Sequence, residues 1–415
     1  MPTVLVIGYV WPEPNSSAAG KRMLQLLEYF TSSNYKVIFA TTAALSNNAA
    51  DLSELGIPSV KIELNSSSFD TYIQSLQPEI VLFDRFMMEE QFGWRVSKNS
   101  PNSIKILDTE DLHFLRNSRE QELSSNNSIF YSGLTKREIA SIYRCDLSLI
   151  ISEVEMKLLR EDFNISEKLL IYVPFMLNPV TETDRKLLPS FKKREHFISI
   201  GNFKHKPNVD AVRFLKKEIW PIIKKQLPEA EMHIYGAYPT AAVTQLSNPK
   251  ERFLVKGWVQ NAEEVVKKAK VSLAALRFGA GLKGKLTEAM QLGTPTVTSS
   301  LGAEGMHGEL PWSGFIKDDP KAFAEAAIKL YTDPSIWETS QSNGFNIINE
   351  RYSKDHFYKM LDNKLVLLKE QLSNYREANF IGSMLQHHRV KSTQYLSKYI
   401  EVKMELEALK DSSKE

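Results

Sequence analysis

Gly279–Ser300, GAGLKGKLTEAMQLGTPTVTSS, is the stretch whose reading decides the fold. It joins a glycine-spaced loop to a helical pattern, stops that helix at Gly293, and passes through Thr294-Pro295 into a β-branched strand signal, Thr296-Val297-Thr298. Gly279 and Gly281 allow a tight turn and the close approach of a ligand. Lys283 and Lys285 then fall in the first turn of the predicted helix, where unpaired N–H groups and the positive dipole end attract anions. Cations are disfavoured at that end of a helix, so two lysines there predict a negative occupant rather than a solvated surface loop. Glu288 lies three residues beyond Lys285 and shares its face, which suits a carboxylate taking ribose hydroxyls while lysine holds phosphate. The stretch therefore reads as a diphosphate site.

Outward from it, short apolar runs alternate with longer helical patterns, which predicts an α/β protein with parallel sheets covered on both faces. Strand candidates in the second half are Phe197–Gly201, Glu231–Gly236, Phe253–Val255, Val271–Ala275 and Gly314–Ile316, with helices over Pro207–Lys225, Ala262–Lys270 and from Asp319 onward. Gly201, Gly236 and Gly257 each close a strand, as glycines do beside a ligand cleft. In the first half the candidates are Val4–Gly8, Lys36–Ala40, Val60–Leu64, Ile80–Asp84, Ile104–Asp108, Leu147–Ile151 and Leu169–Val173. Three prolines and a charged middle mark Pro174–Glu195 as the interdomain linker. The expected organisation is a first domain over 1–175, a linker over 176–195, a second domain over 196–352, a crossover helix over 353–375 and a helical tail over 376–415. The tail is expected to serve oligomerisation or docking into a complex, with a disordered end past Leu409.

The first strand leads into a breaker-rich loop ending at Gly20, with Lys21 and Arg22 at the start of a helix over Met23–Phe30. Three spaced glycines are missing, so a dinucleotide fingerprint is excluded, yet the loop suits a phosphate or sugar approaching closely. The segment Thr109–Arg116, TEDLHFLR, places His113 and several charged groups just past a strand's carboxyl end. Zinc spacing is absent, and no metal is expected. The single Cys145 excludes an intramolecular disulfide framework and reads as a buried strand-edge residue. A formal net charge of +2 imposes no general affinity for nucleic acid. The apolar run at the N-terminus reads as a strand rather than a signal peptide, and no run is long enough to span a bilayer, so a cytoplasmic location is expected. A peripheral contact with the inner membrane face is carried by Phe86-Met87-Met88 with Phe92 and Trp94, and by the lysines Lys216, Lys217, Lys224 and Lys225. Core packing and a solvated face are the simpler readings of the two groups.

Taken together, SIGNF at Ser199–Phe203, the motifs Lys206-Pro207-Asn208, Ile219-Trp220-Pro221, Pro228-Glu229-Ala230 and Gly257-Trp258-Val259, and the run from Leu276 to Met306 resemble the GT-B glycosyltransferases, specifically glycosyltransferase family 4. TEDLHFLR resembles the family segment that sets a histidine against the donor sugar. The likeness spans most of residues 1–370 and implies two Rossmann-like domains facing a cleft, plus a C-terminal helical extension. It also implies a retaining, metal-independent transfer of sugar from a nucleotide diphosphate-sugar to a glycan, lipid-linked or other hydroxyl acceptor. By the resemblance, His113, Lys285 and Glu288 carry the reaction. Gly20, Gly201, Asn202, Gly236, Val259, Arg277, Gly279, Gly281 and Lys283 hold the donor, which takes the place of a cofactor.

Two positions depart from the family pattern. The first of its paired glutamates is replaced by Ala280, and the basic residue usual after Gly201 is replaced by Asn202. These departures keep two other expectations open: a sugar-nucleotide epimerase of the same architecture, and a non-catalytic sugar-nucleotide or glycan-binding subunit.

Overall fold

The computed structural model describes residues 1–125 and 130–412. The first sheet holds seven parallel strands, β1 Thr3–Gly8, β2 Lys36–Thr41, β3 Ser59–Lys61, β4 Ile80–Asp84, β5 Ile104–Asp108, β6 Leu147–Ile150 and β7 Leu170–Tyr172, in the order β3-β2-β1-β4-β5-β6-β7. Alternate residues of one strand enter different cores. Val4 and Val6 pack with Leu26 and Phe30 of the helix Ala18–Ser32, whereas Leu5 and Ile7 pack with Phe92 and Val96 of the helix Arg85–Asn99. Burial of both faces is why these strands read as continuous apolar runs.

The second sheet holds β8 Glu195–Ile200, β9 Met232–Tyr235, β10 Phe253–Gly257, β11 Ala269–Ala274, β12 Thr296–Thr298 and β13 Gly314–Ile316, all parallel, in the order β10-β9-β8-β11-β12-β13. Strand order reverses beside β1 in one sheet and beside β8 in the other. Those switch points open crevices at the carboxyl ends of the strands, and the two crevices face each other. This is the GT-B architecture.

The chain crosses between the halves twice, and the crossings hold each other. Leu177 N donates to Tyr352 O at 2.8 Å and Lys354 N to Leu177 O at 3.0 Å. The helix Lys354–Ala378 then returns to the first sheet, burying Phe357, Leu361, Leu365 and Leu368 in its core, while Tyr29 Oη donates to Asp362 at 2.7 Å.

Several elements differ from expectation. The helix expected over Pro207–Lys225 is Lys206–Phe214, a π turn over Leu215–Ile219 and Trp220–Gln226, because Pro221 has no N–H to continue the ladder. The segment expected as a linker contains a capped helix, Glu182–Leu187, and ends on buried Arg194, which binds Leu292 O and Thr294 Oγ1 of the second domain. The tail helix Phe380–Ser412 packs one face on the first domain: Gln386 donates to Arg144 O at 3.0 Å and Ser397 Oγ accepts from Arg95 at 2.9 Å. Its outer row, Tyr395, Tyr399, Val402 and Leu406, is exposed. The helix continues past Leu409 to Ser412, and the rest of the end expected to be disordered lies outside the described residues. Phe86, Met88, Phe92 and Trp94 are buried in the first domain rather than forming a surface patch. Among the described residues no helix is long and apolar enough to cross a membrane.

Candidate active site

The facing crevices enclose a cavity of about 640 Å³. Ten of the residues read from the sequence line it: Gly20 and His113 from the first domain, and Gly201, Asn202, Gly236, Val259, Gly279, Lys283, Lys285 and Glu288 from the second.

The basic wall is built by the loop after β11 and the helix Gly284–Gln291 that follows it. Lys283 is the helix N-cap residue, and Lys285 stands in the first turn. Lys283 Nζ donates to Gly281 O at 2.7 Å, and Lys285 Nζ to Asn208 Oδ1 at 2.6 Å. Both acceptors are neutral. Burial pushes each ammonium down to about 8, which records charge held out of water without a bonded carboxylate. An anion entering the cavity would meet two cations and the open N–H groups of a helix start.

On the opposite wall, the start of the helix after β5 is arranged to satisfy itself. Helix His113–Ser125 starts against the buried carboxylate of Glu138, which accepts from His113 N at 3.1 Å and Phe114 N at 2.9 Å. This fixes the direction in which His113 points. The imidazole packs edge-on against Phe86, with Nε2 3.5 Å from Asp111 Oδ1. Burial pushes His113 down to about 4, so near neutrality it is an uncharged hydrogen-bonding group. Asp111 is tied to Arg116, and that pairing outweighs burial to hold the carboxyl at about 2.

The domains meet closely around the cavity. Glu155 Oε1 accepts from Leu112 N at 3.1 Å and from Gly281 N at 2.8 Å, clasping the two walls through one oxygen. Arg119 binds Gly279 O at 2.8 Å and Glu304 at 2.7 Å. Lys21 Nζ lies 3.0 Å from Glu288 Oε1, and Tyr238 Oη donates to Glu13 at 2.9 Å. The glycines of the loop serve this contact. A Cβ on Gly281, whose φ is +62°, would stand 2.9 Å from Asp111 Cβ, and one on Gly284 would stand 2.5 Å from Ala18 Cβ.

Some candidates sit elsewhere than expected. Arg277 lies outside the cavity lining, paired with Asp210 at 2.9 Å and stacked over Phe214. The Gly281 amide is already engaged by Glu155. Arg22, expected beside a phosphate, is fully buried: it binds Asp108 at 2.7 Å and Val173 O at 2.7 Å, and acts as a strut under the sheet edge. Asn202 Oδ1 accepts from Lys204 N at 2.8 Å, so its side chain holds its own loop, and Lys204 lines the cavity beside it. Cys145 is buried ahead of β6, and burial raises its thiol well above the ordinary range. Glu155, Asn208, Arg119 and Tyr238 are contributors that sequence reasoning missed. Only Asn208 carried a signal, within Lys206-Pro207-Asn208.

Residues 194–333 match the family model described as glycosyl transferases group 1. The solved structures it resembles agree across nearly the whole chain. The chain has the GT-B fold, and its second half carries a glycosyl transferases group 1 domain. Sucrose-phosphate synthase from Thermosynechococcus elongatus superposes with a TM-score of 0.68 at 14% identity, covering 89% of this chain and 99% of that one. The pneumococcal O-GlcNAc transferase GtfA, solved with UDP and GlcNAc, gives 0.68 at 12% identity over 88% and 99%. HepE from Anabaena, solved with UDP and glucose, gives 0.62 at 13% over 89% and 100%. No curated protein matches the sequence. The matched residues 194–333 contain the whole basic wall, whereas His113 and Glu155 lie outside them.

Proposed function

We propose that this enzyme transfers a sugar from a nucleotide diphosphate-sugar to a hydroxyl acceptor on a glycan or lipid-linked carrier, with retention of anomeric configuration and without a bound metal. The observation that carries the reading is the pair Lys283 and Lys285, two ammonium groups at a helix start that face an interdomain cavity and are bonded only to neutral oxygens. As the anomeric carbon leaves the diphosphate oxygen, negative charge grows on that oxygen. Two lysines and a helix N-terminus stabilise it in the way a divalent cation would. The acceptor oxygen forms the new bond to the anomeric carbon, and its proton passes to the departing diphosphate. Glu288 takes ribose hydroxyls by displacing Lys21, and neutral His113 hydrogen-bonds the donor sugar across the cleft. Domain contact through Glu155 and Gly284 excludes water and disfavours donor hydrolysis.

The test is incubation with UDP-, GDP- and ADP-sugars labelled in the sugar, with glycan and lipid-linked acceptors, followed by NMR of the product anomer. Labelled glycoside of the donor's configuration is the expected product. Epimerised free sugar formed without any acceptor would overturn the reading.

A further inference from the structure

On the first-domain side of the cavity, at the carboxyl ends of β4 and β5, two carboxylates remain unexplained by the donor. Asp84 and Asp108 are register partners on these neighbouring strands, and Glu110 follows two residues later. Asp108 is consumed by Arg22. Asp84 and Glu110 are not consumed. Both line the cavity, at 4% and 9% exposure, and Asp84 Oδ1 and Glu110 Oε1 have no hydrogen-bond partner. The other Asp84 oxygen accepts from Tyr9 N at 2.9 Å, so the carboxylate is held in place with one oxygen spare. Arg85 stands 3.7 Å from that spare oxygen without bonding it. Buried unpaired oxygens are costly, and a site keeps them when a ligand completes them. Backbone strain aims the same place: Arg85 at φ +69° and Glu110 at φ +62° are both left-handed without being glycine.

The location sets Asp84 apart from the basic wall, with Glu110 between it and the domain contact at Asp111. Gly281 docks against Asp111, Ile151 and Glu155, at the β5–β6 end of the edge. Asp84 ends β4, two strand spacings from β6, or about 10 Å. Tyr9 follows β1, one strand further still; it is 42% exposed at the cavity wall, with Arg85 over one face of its ring at 5.2 Å and the other face left to a ligand. Carboxylate oxygens beside an aromatic face fit the two surfaces of a sugar: hydroxyl edges and an apolar ring face. Formal charge here nearly cancels, with Asp84, Asp108, Glu110 and Asp111 set against Arg22, Arg85 and Arg116. Burial also pushes Glu110 upward, toward a neutral carboxyl that both donates to and accepts from a hydroxyl. A second negative charge would be repelled. An ammonium would find Arg85 beside it.

We propose that Asp84, Glu110 and the Tyr9 ring form the acceptor subsite, and that the acceptor terminates in an uncharged sugar ring read through its hydroxyls. This rests on the transferase reading above and names the acceptor class for the same cavity. Spare acceptor oxygens on Asp84 and Glu110 take ring hydroxyls, and Tyr9 covers a ring face. They position the attacking oxygen and leave donor binding to the other wall.

The experiment uses the full chain with the nucleotide sugar that it turns over. Neutral p-nitrophenyl hexosides (glucoside, galactoside, mannoside and N-acetylglucosaminide) are compared with p-nitrophenyl glucuronide, glucosaminide and glycerol 3-phosphate. At least one neutral hexoside is used, and the acidic and cationic acceptors have kcat/KM at least tenfold lower. Glu110→Leu and Asp84→Asn raise KM for the neutral acceptor about tenfold or more. They leave the nucleotide-induced thermal shift unchanged, which also reports that each variant folds. Glu110→Gln, which keeps donor and acceptor atoms, retains most of the activity. Preference for the glucuronide, the amine or the phosphate overturns the proposal, as does failure of every neutral hexoside while the donor is consumed, or an unchanged KM in Glu110→Leu. Absence of any nucleotide-induced shift in the wild type would instead sink the transferase reading, so the two failures are distinct.

Discussion

The two walls of the cavity solve opposite problems. Around the basic wall, Lys283 is buried and Lys285 half-buried, each bonded to a neutral partner, and their ammonium groups are pushed down to about 8. Across the cleft, Arg22 and Asp108 are buried more deeply and yet fully answered by one another and by carbonyls. The basic wall stores unmet charge, whereas Arg22 and Asp108 spend theirs on holding the sheet edge in place. Charge that costs stability in the empty protein is what a diphosphate would complete, whereas charge already paired is scaffold.

The difference is broken most severely at Arg22. Arg22→Ala leaves Asp108 buried alone and should cost ~3–5 kcal/mol of stability, read in denaturant melts. On the basic wall the trade reverses. Lys285→Met should lower kcat/KM by about 10²–10³, or ~3–4 kcal/mol, while its melting temperature without nucleotide equals or exceeds that of the wild type. A large loss of stability in that variant would show that Lys285 is scaffold after all.

Closure comes next in size. Gly284→Val places side-chain atoms where Ala18 now sits, and should reduce kcat about tenfold while changing the nucleotide Kd by less than twofold, checked by initial rates and calorimetry.

The pH dependence differs between the walls as well. Diphosphate binding favours charged lysines, so nucleotide affinity should fall as pH rises above about 8, by up to about tenfold per pH unit for each lysine that must be charged. On the other wall Glu138 and Glu155 have folded values pushed up by burial to about 8 and about 7, from 4.5. A raised folded value means that the native state binds more protons, so their stabilising share is full below about 4.5 and is lost as pH rises to about 8. Melting temperatures across that window check the sign, and Glu155→Gln should flatten part of the slope. Smallest of all is Arg277→Ala, expected to change kcat/KM by less than twofold, since the guanidinium pairs with Asp210 outside the cavity.

How much of this was legible follows from where each signal lives. The parallel sheets were readable because strands buried on both faces, such as Val4–Ile7, are apolar throughout. The basic wall was readable because the Gly-rich loop, both lysines and Glu288 are adjacent in sequence. The clasp was not. Glu155 lies 126 residues from Gly281 and is an ordinary glutamate on a helix until the domains meet. Arg22 misled for the same reason: a basic residue at a helix start looks like a phosphate ligand, and only the fold brings Asp108 to it from 86 residues away. Gly281 was assigned to ligand approach, yet it is small, as is Gly284, because the other domain touches the loop there. Asp84 gave no pattern, and Glu110 only a place in an acidic cluster past a strand end, since a buried oxygen without a hydrogen bond is a property of three dimensions.

The most direct test of the central claim is a thermal-shift comparison of wild type and Lys285→Ala against UDP, GDP, ADP and CMP. A ligand that binds only the folded state raises the melting temperature, by an amount that grows with its concentration. At least one nucleoside diphosphate should stabilise the wild type and leave Lys285→Ala unmoved. No shift for any nucleotide in the wild type, or an equal shift in the variant, would contradict the account.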